Sequence, residues 1–258
     1  MDIAGEILKK YEEVFNNLPE KSIGKLRFGR SMLSVSDIAA QYYCEQKLDM
    51  ESEIPLPPTE EMKTGGEAHE AAATIGLEVS KEQSIVDAVT PREEAIFICE
   101  FKIAWIHKGI PIIGMVDEAW FRGGNVDLVV ERKFSNTLSV YSPYHVQAQL
   151  YCLGLGEMGF NNELTNYRII VLKRSCHECK KLLDRSCPIF SPDKTDFSCD
   201  KGEAIAFTYP FDEEKIIGNL DWALEFWLNK RQAIPTKNPA KCRVCEYSQM
   251  CKHSLSNQ

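Results

Sequence analysis

No apolar run in this chain is long enough for a membrane-spanning helix, so no transmembrane helix is expected. The first 21 residues, MDIAGEILKKYEEVFNNLPEK, are amphipathic and acidic. They have neither the apolar stretch nor the cleavage site of a secretory signal, so a cytoplasmic location is expected. Positive charge is short as well: 30 Lys and Arg face 38 Asp and Glu, for a net charge of −8 and a pI near 5.3. That argues against a protein that coats nucleic acid through its overall field. It leaves room for a local basic groove, or for a site where metal ions offset the carboxylates. Internal repeats and low-complexity runs are absent from the sequence.

Cysteine, in contrast, is plentiful, with ten residues. In a reducing cytoplasm clustered thiols serve metal binding more readily than disulfides. At 258 residues, 44% hydrophobic and 26% charged, the chain reads as a single globular domain spanning 1–258, with room for an insertion.

Apolar residues at helical spacing from Ile3 to Leu18 predict a first helix. A second, with Ser36 or Asp37 as N-cap, runs through IAAQYYCEQKL and carries Cys44. After the proline-rich ESEIPLPPT, a third helix is expected over 60–75, carrying His69. Strands follow at 95–107, 110–121 and 126–134, with turns at Lys108-Gly109 and Gly123-Gly124-Asn125. A helix at 143–158, strands at 167–173 and 203–210, and a helix rich in Trp222, Phe226 and Trp227 complete the pattern. This order predicts an α/β (α+β) core with a mixed central sheet flanked by helices. Residues 174–202 interrupt the rhythm with four cysteines and read as an insertion between two strands.

The second hairpin carries chemistry. If it is symmetric about Gly124, Asp117 and Glu131 stand opposite each other, each seven residues away. Their Cβ atoms would then be about 4.5–5.5 Å apart, which is unfavourable for like charges unless a cation sits between them. Lys133 points to the same face. Asp117, Glu131 and the backbone carbonyl of Arg132 are an oxygen-rich set that suits Mg²⁺ or Mn²⁺, able to activate a water against a phosphate. Taken alone, the same residues are equally well two solvated carboxylates with Lys133 as ion-pair partner. A bulge would also shift the register.

D-x13-E-x-K on a hairpin resembles the PD-(D/E)XK nuclease superfamily, whose RecB-like branch adds an upstream histidine and a Q-x-x-x-Y helix. Here GGEAH supplies His69, and QAQLY supplies Gln147 and Tyr151, four apart on one helix face. The text SVSDIAAQYYCEQKLDM and the closing C-x2-C-x5-C resemble the iron–sulfur branch of that superfamily. The nearest likeness is to the CRISPR-associated RecB-like exonucleases (Cas-four type), with exonuclease V close by, over about residues 30–253. The resemblance implies a PD-(D/E)XK restriction-endonuclease-like core. His69, Asp117, Glu131 and Arg132 would hold the metal, and Asp117, Glu131, Lys133, Gln147 and Tyr151 would be catalytic. It also implies a [4Fe–4S] cluster on Cys44, Cys242, Cys245 and Cys251, joining segments 30–60 and 232–258. The same four thiolates could hold zinc, and spacing does not choose between the two. The implied activity is cleavage of single-stranded DNA from an end, 5′ to 3′. The implied use is processing of DNA ends for CRISPR spacer acquisition, with the CRISPR integrase as partner.

The insertion departs from that pattern. Cys176, Cys179, Cys187 and Cys199, spaced C-x2-C-x7-C-x11-C, could form a zinc site with His177 as a spare ligand, or could be scattered free thiols. They could also serve the cluster in place of Cys44. Lys173, Arg174, Lys180, Lys181 and Arg185, with Lys241, Arg243 and Lys252 near the C-terminal cysteines, are candidate phosphate contacts. Two other functions fit the sequence: an exonuclease V-like repair nuclease, and a DNA-end or partner-binding scaffold with little activity.

Overall fold

Three long strands form the spine of the structure, a computed structural model that describes residues 2–16, 25–57, 81–183, 185–191 and 195–256. β2 (Ile96–His107), β3 (Ile110–Arg122) and β4 (Asn125–Phe134) run antiparallel through two tight hairpins. Lys108 and Gly109 turn the first with φ of 48° and 80°, and Gly123 and Gly124 turn the second with 58° and 89°. Positive φ at both central residues gives the twist that a right-twisted ladder needs. Asn125, expected in the turn, begins β4.

β1 (Leu33–Ser34) lies parallel to β3, and β5 (Asn166–Leu172) lies parallel to β4. β7 (Ala204–Pro210) and β6 (Asp196–Ser198) complete the sheet antiparallel to their neighbours. The sheet is therefore mixed, in the order β1-β3-β4-β5-β7-β6, with β2 on β3.

The two faces of the sheet are covered differently. One buries the main core beneath α1 (Ile3–Asn16), α2 (Val35–Gln41), α4 (Lys81–Val89), α5 (Ser142–Met158) and α7 (Glu213–Trp227). α5 is apolar around most of its girth because it lies between the sheet and both α2 and α7. It lies close: a Cβ on Gly154 would stand 2.7 Å from the Trp105 ring, and one on Gly114 of β3 would stand 3.1 Å from the Tyr151 ring. The opposite face buries a smaller cluster, Leu128, Val130, Ile170, Leu172 and Ala206, under the 174–202 insertion. The insertion runs through a short helix, α6 (Lys180–Leu183), and β6.

The second predicted helix is two. Ser34, not Ser36 or Asp37, is its N-cap, in a reciprocal capping box with Asp37. α2 ends at Gln41, and α3 (Glu45–Glu53) begins after Cys44, which is the extended N-cap at φ −172°. Contacts to the C-terminal segment, described below, hold the break open against the helical propensity of the run. The helix expected at 60–75 and its His69 lie outside the described residues. Among the described residues, no helix is long and apolar enough to cross a membrane. α8 (Pro239–Arg243) carries the first C-terminal cysteine.

Candidate active site and cysteine pocket

β3 and β4 separate where the two carboxylates stand. A bulge places Asp127 outside the pairing, so Phe121 faces Val126 while Trp120 faces Leu128. The two-residue turn and the bulge together restore the register expected from a hairpin symmetric about Gly124. The last paired residues are Glu118 and Val130. Beyond them Asp117 takes over for the ladder: its Oδ2 accepts the Arg132 amide at 2.7 Å, and its carbonyl accepts Arg132 Nη2 at 3.1 Å. Arg132 thus stands at the expected place, but its amide and guanidinium are the groups that meet Asp117. On the other side of β3, Glu100 takes a left-handed φ of 52° between the paired Cys99 and Phe101. A non-glycine residue in that region costs on the order of 1 kcal/mol or more, and such residues gather at functional sites.

Glu131 is wholly buried. Its Oε1 lies 2.5 Å from Lys133 Nζ, yet neither carboxylate oxygen has an aligned hydrogen-bond donor among the described residues. Burial, then the nearby Asp117, pushes its pKa up to about 8. For Lys133, burial pulls the other way, but Glu131 and Asp117 outweigh it and hold the ammonium above its usual range. Lys133 Nζ also donates to Gln147 Oε1 at 3.0 Å, and Gln147 Nε2 donates to the Tyr151 hydroxyl at 2.9 Å. Burial, then Glu131 and Asp117, keeps Tyr151 a neutral phenol, its pKa well above the usual value. Asp117, Glu131, Lys133, Gln147 and Tyr151 are thus linked by a run of contacts from the hairpin to α5. Tyr144 lies with its ring 5.5 Å from Lys133 Nζ and packs edge-on against the exposed Tyr141.

The other predicted group converges on a pocket. Cys44, Cys242, Cys245 and Cys251 all line one cavity, with Tyr43, Lys47, Thr236 and Lys241 around them. The Thr236 amide donates to Cys44 Sγ at 3.4 Å. Burial raises the Cys245 thiol. The two chain ends are sewn together around this pocket. Glu45, 1% exposed, accepts from Arg231 Nη1 at 2.5 Å, Arg231 Nη2 at 2.6 Å and the Ile234 amide at 2.7 Å. Lys47 pairs with Glu246 at 3.0 Å, and the Tyr247 hydroxyl donates to the Ile54 carbonyl at 3.0 Å.

Sequence reasoning missed Glu45–Arg231 and a second buried pair on the back of the sheet. Glu118, 1% exposed, accepts Trp120 Nε1 at 2.7 Å and Arg185 Nη2 at 2.9 Å. The Arg185 guanidinium lies 4.0 Å and 4.4 Å from the Phe97 and Phe190 ring centroids. Arg185, a candidate phosphate contact, pairs with Glu118 and so clamps the insertion to the sheet. Lys241, another candidate, donates to the Tyr42 and Tyr43 carbonyls at 3.3 Å and 3.0 Å. None of the ten cysteines is in a disulfide. Among the described residues, no three His, Cys, Asp or Glu side chains are gathered as a metal site.

No family model matches the chain, and no curated protein matches its sequence. Among solved structures, one described as "Crystal structure of SSO0001" aligns at 15% identity over 98% of this chain and 96% of that one, with a TM-score of 0.42. At that score the likeness does not bear on fold or function.

Proposed function

We propose that this protein is a metal-dependent DNA exonuclease with a PD-(D/E)XK-type core, cutting single-stranded ends. One observation carries the reading. A fully buried glutamate without an aligned donor sits beside Asp117, in line with Lys133, Gln147 and Tyr151. A fully buried carboxylate is costly even beside one ammonium, and two adjacent carboxylates suit a hard divalent cation. Asp117 and Glu131 would hold Mg²⁺ or Mn²⁺, which when bound polarises a phosphate and lowers the pKa of water. Lys133, held by Glu131 and Gln147, presents its ammonium where negative charge develops on a phosphate. Gln147, fixed by Tyr151 at its other end, keeps that ammonium from swinging away. The exposed Tyr141 ring beside Tyr144 offers an unpaired base a stacking surface at the mouth of the site.

Four thiols around one pocket fit a [4Fe–4S] cluster on Cys44, Cys242, Cys245 and Cys251, with the Thr236 amide available to a thiolate. Its role there is structural, as a tie between chain ends that Glu45 and Arg231 already join.

The test is a cleavage assay on end-labelled single-stranded DNA with Mn²⁺ or Mg²⁺, using anaerobically purified protein. The expected result is stepwise shortening, reduced by roughly 10³-fold or more in Glu131→Gln. No cleavage by the folded wild-type protein, or equal cleavage by Glu131→Gln, would overturn the reading.

A further inference from the structure

The insertion's cysteines share a backbone setting that the proposed nuclease does not use. Each opens a tight turn in which its carbonyl accepts the amide three residues on. Cys176 accepts from Cys179 at 3.0 Å, Cys179 from Leu182 at 2.9 Å, Cys187 from Phe190 at 3.0 Å and Cys199 from Gly202 at 2.8 Å. Four such bonds, in 3-10 and α-helical turns and one plain turn, each accepted by a cysteine carbonyl, lie within a single connection between β5 and β7.

The turns also converge. Cys176, Cys187 and Cys199 pack on the same small apolar cluster beneath β4, β5 and β7. Cys176 and Cys187 each lie close enough to Cys179 and Cys199 to interact with them electrostatically. The apolar cover that the insertion itself brings is small, chiefly Leu182, Ile189, Phe190 and Phe197. Segments with so little core of their own commonly need a staple, and thiol-bearing turns with a C-x2-C spacing are how a tetrahedral zinc site is built.

We propose that Cys176, Cys179, Cys187 and Cys199 bind one structural Zn²⁺, which fastens the insertion to the back of the sheet. The chemistry is coordination only: four S–H groups release their protons to solvent, and four thiolates take the ion, with no change of oxidation state. The backbone presents the thiols, and the ion draws them together. Zinc would then stand alongside two clamps already in place, Arg185 on Glu118 and Arg168, whose Nη1 donates to the Ser191 carbonyl at 2.7 Å. Glu118 is the neighbour of Asp117 on β3, so the fastened insertion stiffens the strand behind the carboxylate pair.

The experiment needs no DNA, so its outcome is separate from that of the nuclease assay. Zinc and iron are measured per chain in protein expressed with zinc supplied, for the wild type, Cys179→Ser/Cys199→Ser and Cys44→Ser. The expected result is about one zinc per wild-type chain, lost in the insertion variant and kept in Cys44→Ser. Wild-type protein with less than about a tenth of a zinc per chain would overturn the proposal, as would zinc lost with Cys44 but kept in the insertion variant. If the insertion variant fails to fold, Co²⁺ titration of metal-stripped wild-type protein decides. Sulfur-to-cobalt charge-transfer absorption that persists in Cys44→Ser supports the site, and its absence there refutes it.

Discussion

Replacing Arg231 with methionine should loosen the whole joint between the chain ends. Methionine keeps the aliphatic bulk over Trp222, whose ring centroid lies 4.3 Å from the guanidinium, but removes the charge. Among the described residues, Glu45, 1% exposed, then keeps only the Ile234 amide and the Gln41 amide, at 2.7 Å and 2.6 Å, as donors to a buried carboxylate. Breaking a buried ion pair from one side costs about 3–5 kcal/mol, because the surviving charge is stranded. In urea, with a slope of about 2–3 kcal/mol per molar, that moves the midpoint down by roughly 1–2.5 M. Adding Glu45→Gln to Arg231→Met should return most of the loss, since the new amide's oxygen accepts the Ile234 amide and its NH2 donates to Gln41 Oε1 once the Gln41 amide turns over. A double-mutant cycle read from urea midpoints, with the slope held constant, measures this. If the single variant loses less than about 1 kcal/mol, or the double variant is no better than the single, the pair is not what joins the ends.

Two further outcomes follow from the active site. In metal-free protein the folded state keeps a proton on Glu131 up to about pH 8, whereas the unfolded glutamate loses it near 4.5. The native state therefore binds more protons in that window, so stability should fall as pH rises from 6 to 8 and level off above. Urea midpoints in chelator across that range check the slope. A flat or rising profile, or one unchanged by Glu131→Gln, refutes the assignment. Removing the exposed ring in Tyr141→Ala should raise KM for single-stranded ends roughly tenfold, the value of one base–aromatic stack, with kcat within about twofold. An equal loss on blunt duplex would show that Tyr141 does not read unpaired bases.

The sheet and the carboxylate pair were legible because their signals are local. Alternation and Gly-Gly set the hairpin, and the spacing of Asp117, Glu131 and Lys133 puts them on one face wherever the register holds. The register held through two departures that compensate, a shorter turn and a bulge at Asp127, which alternation alone does not foresee. The break before Cys44 was not legible, since QYYCEQKL is good helical text. Arg231, 186 residues away, fixes Glu45 at the start of the new helix. For the same reason Arg185 read as a surface cation: its partner Glu118 belongs to a different segment, and a buried charge looks like an exposed one until its partner is known. His69 falls outside the described residues.

Gly154 has a bearing on chemistry that its place in the core conceals. It lies on the same stripe of α5 as Tyr151 and Gln147, three residues from one and seven from the other, where a methyl group would collide with Trp105 and Ile103. The height of that helix above the sheet is thus set by a missing atom. The same height sets how far Gln147 must reach to hold the Lys133 ammonium. The gauge of the reactive centre is kept two helical turns away from it, by a residue with no functional group at all.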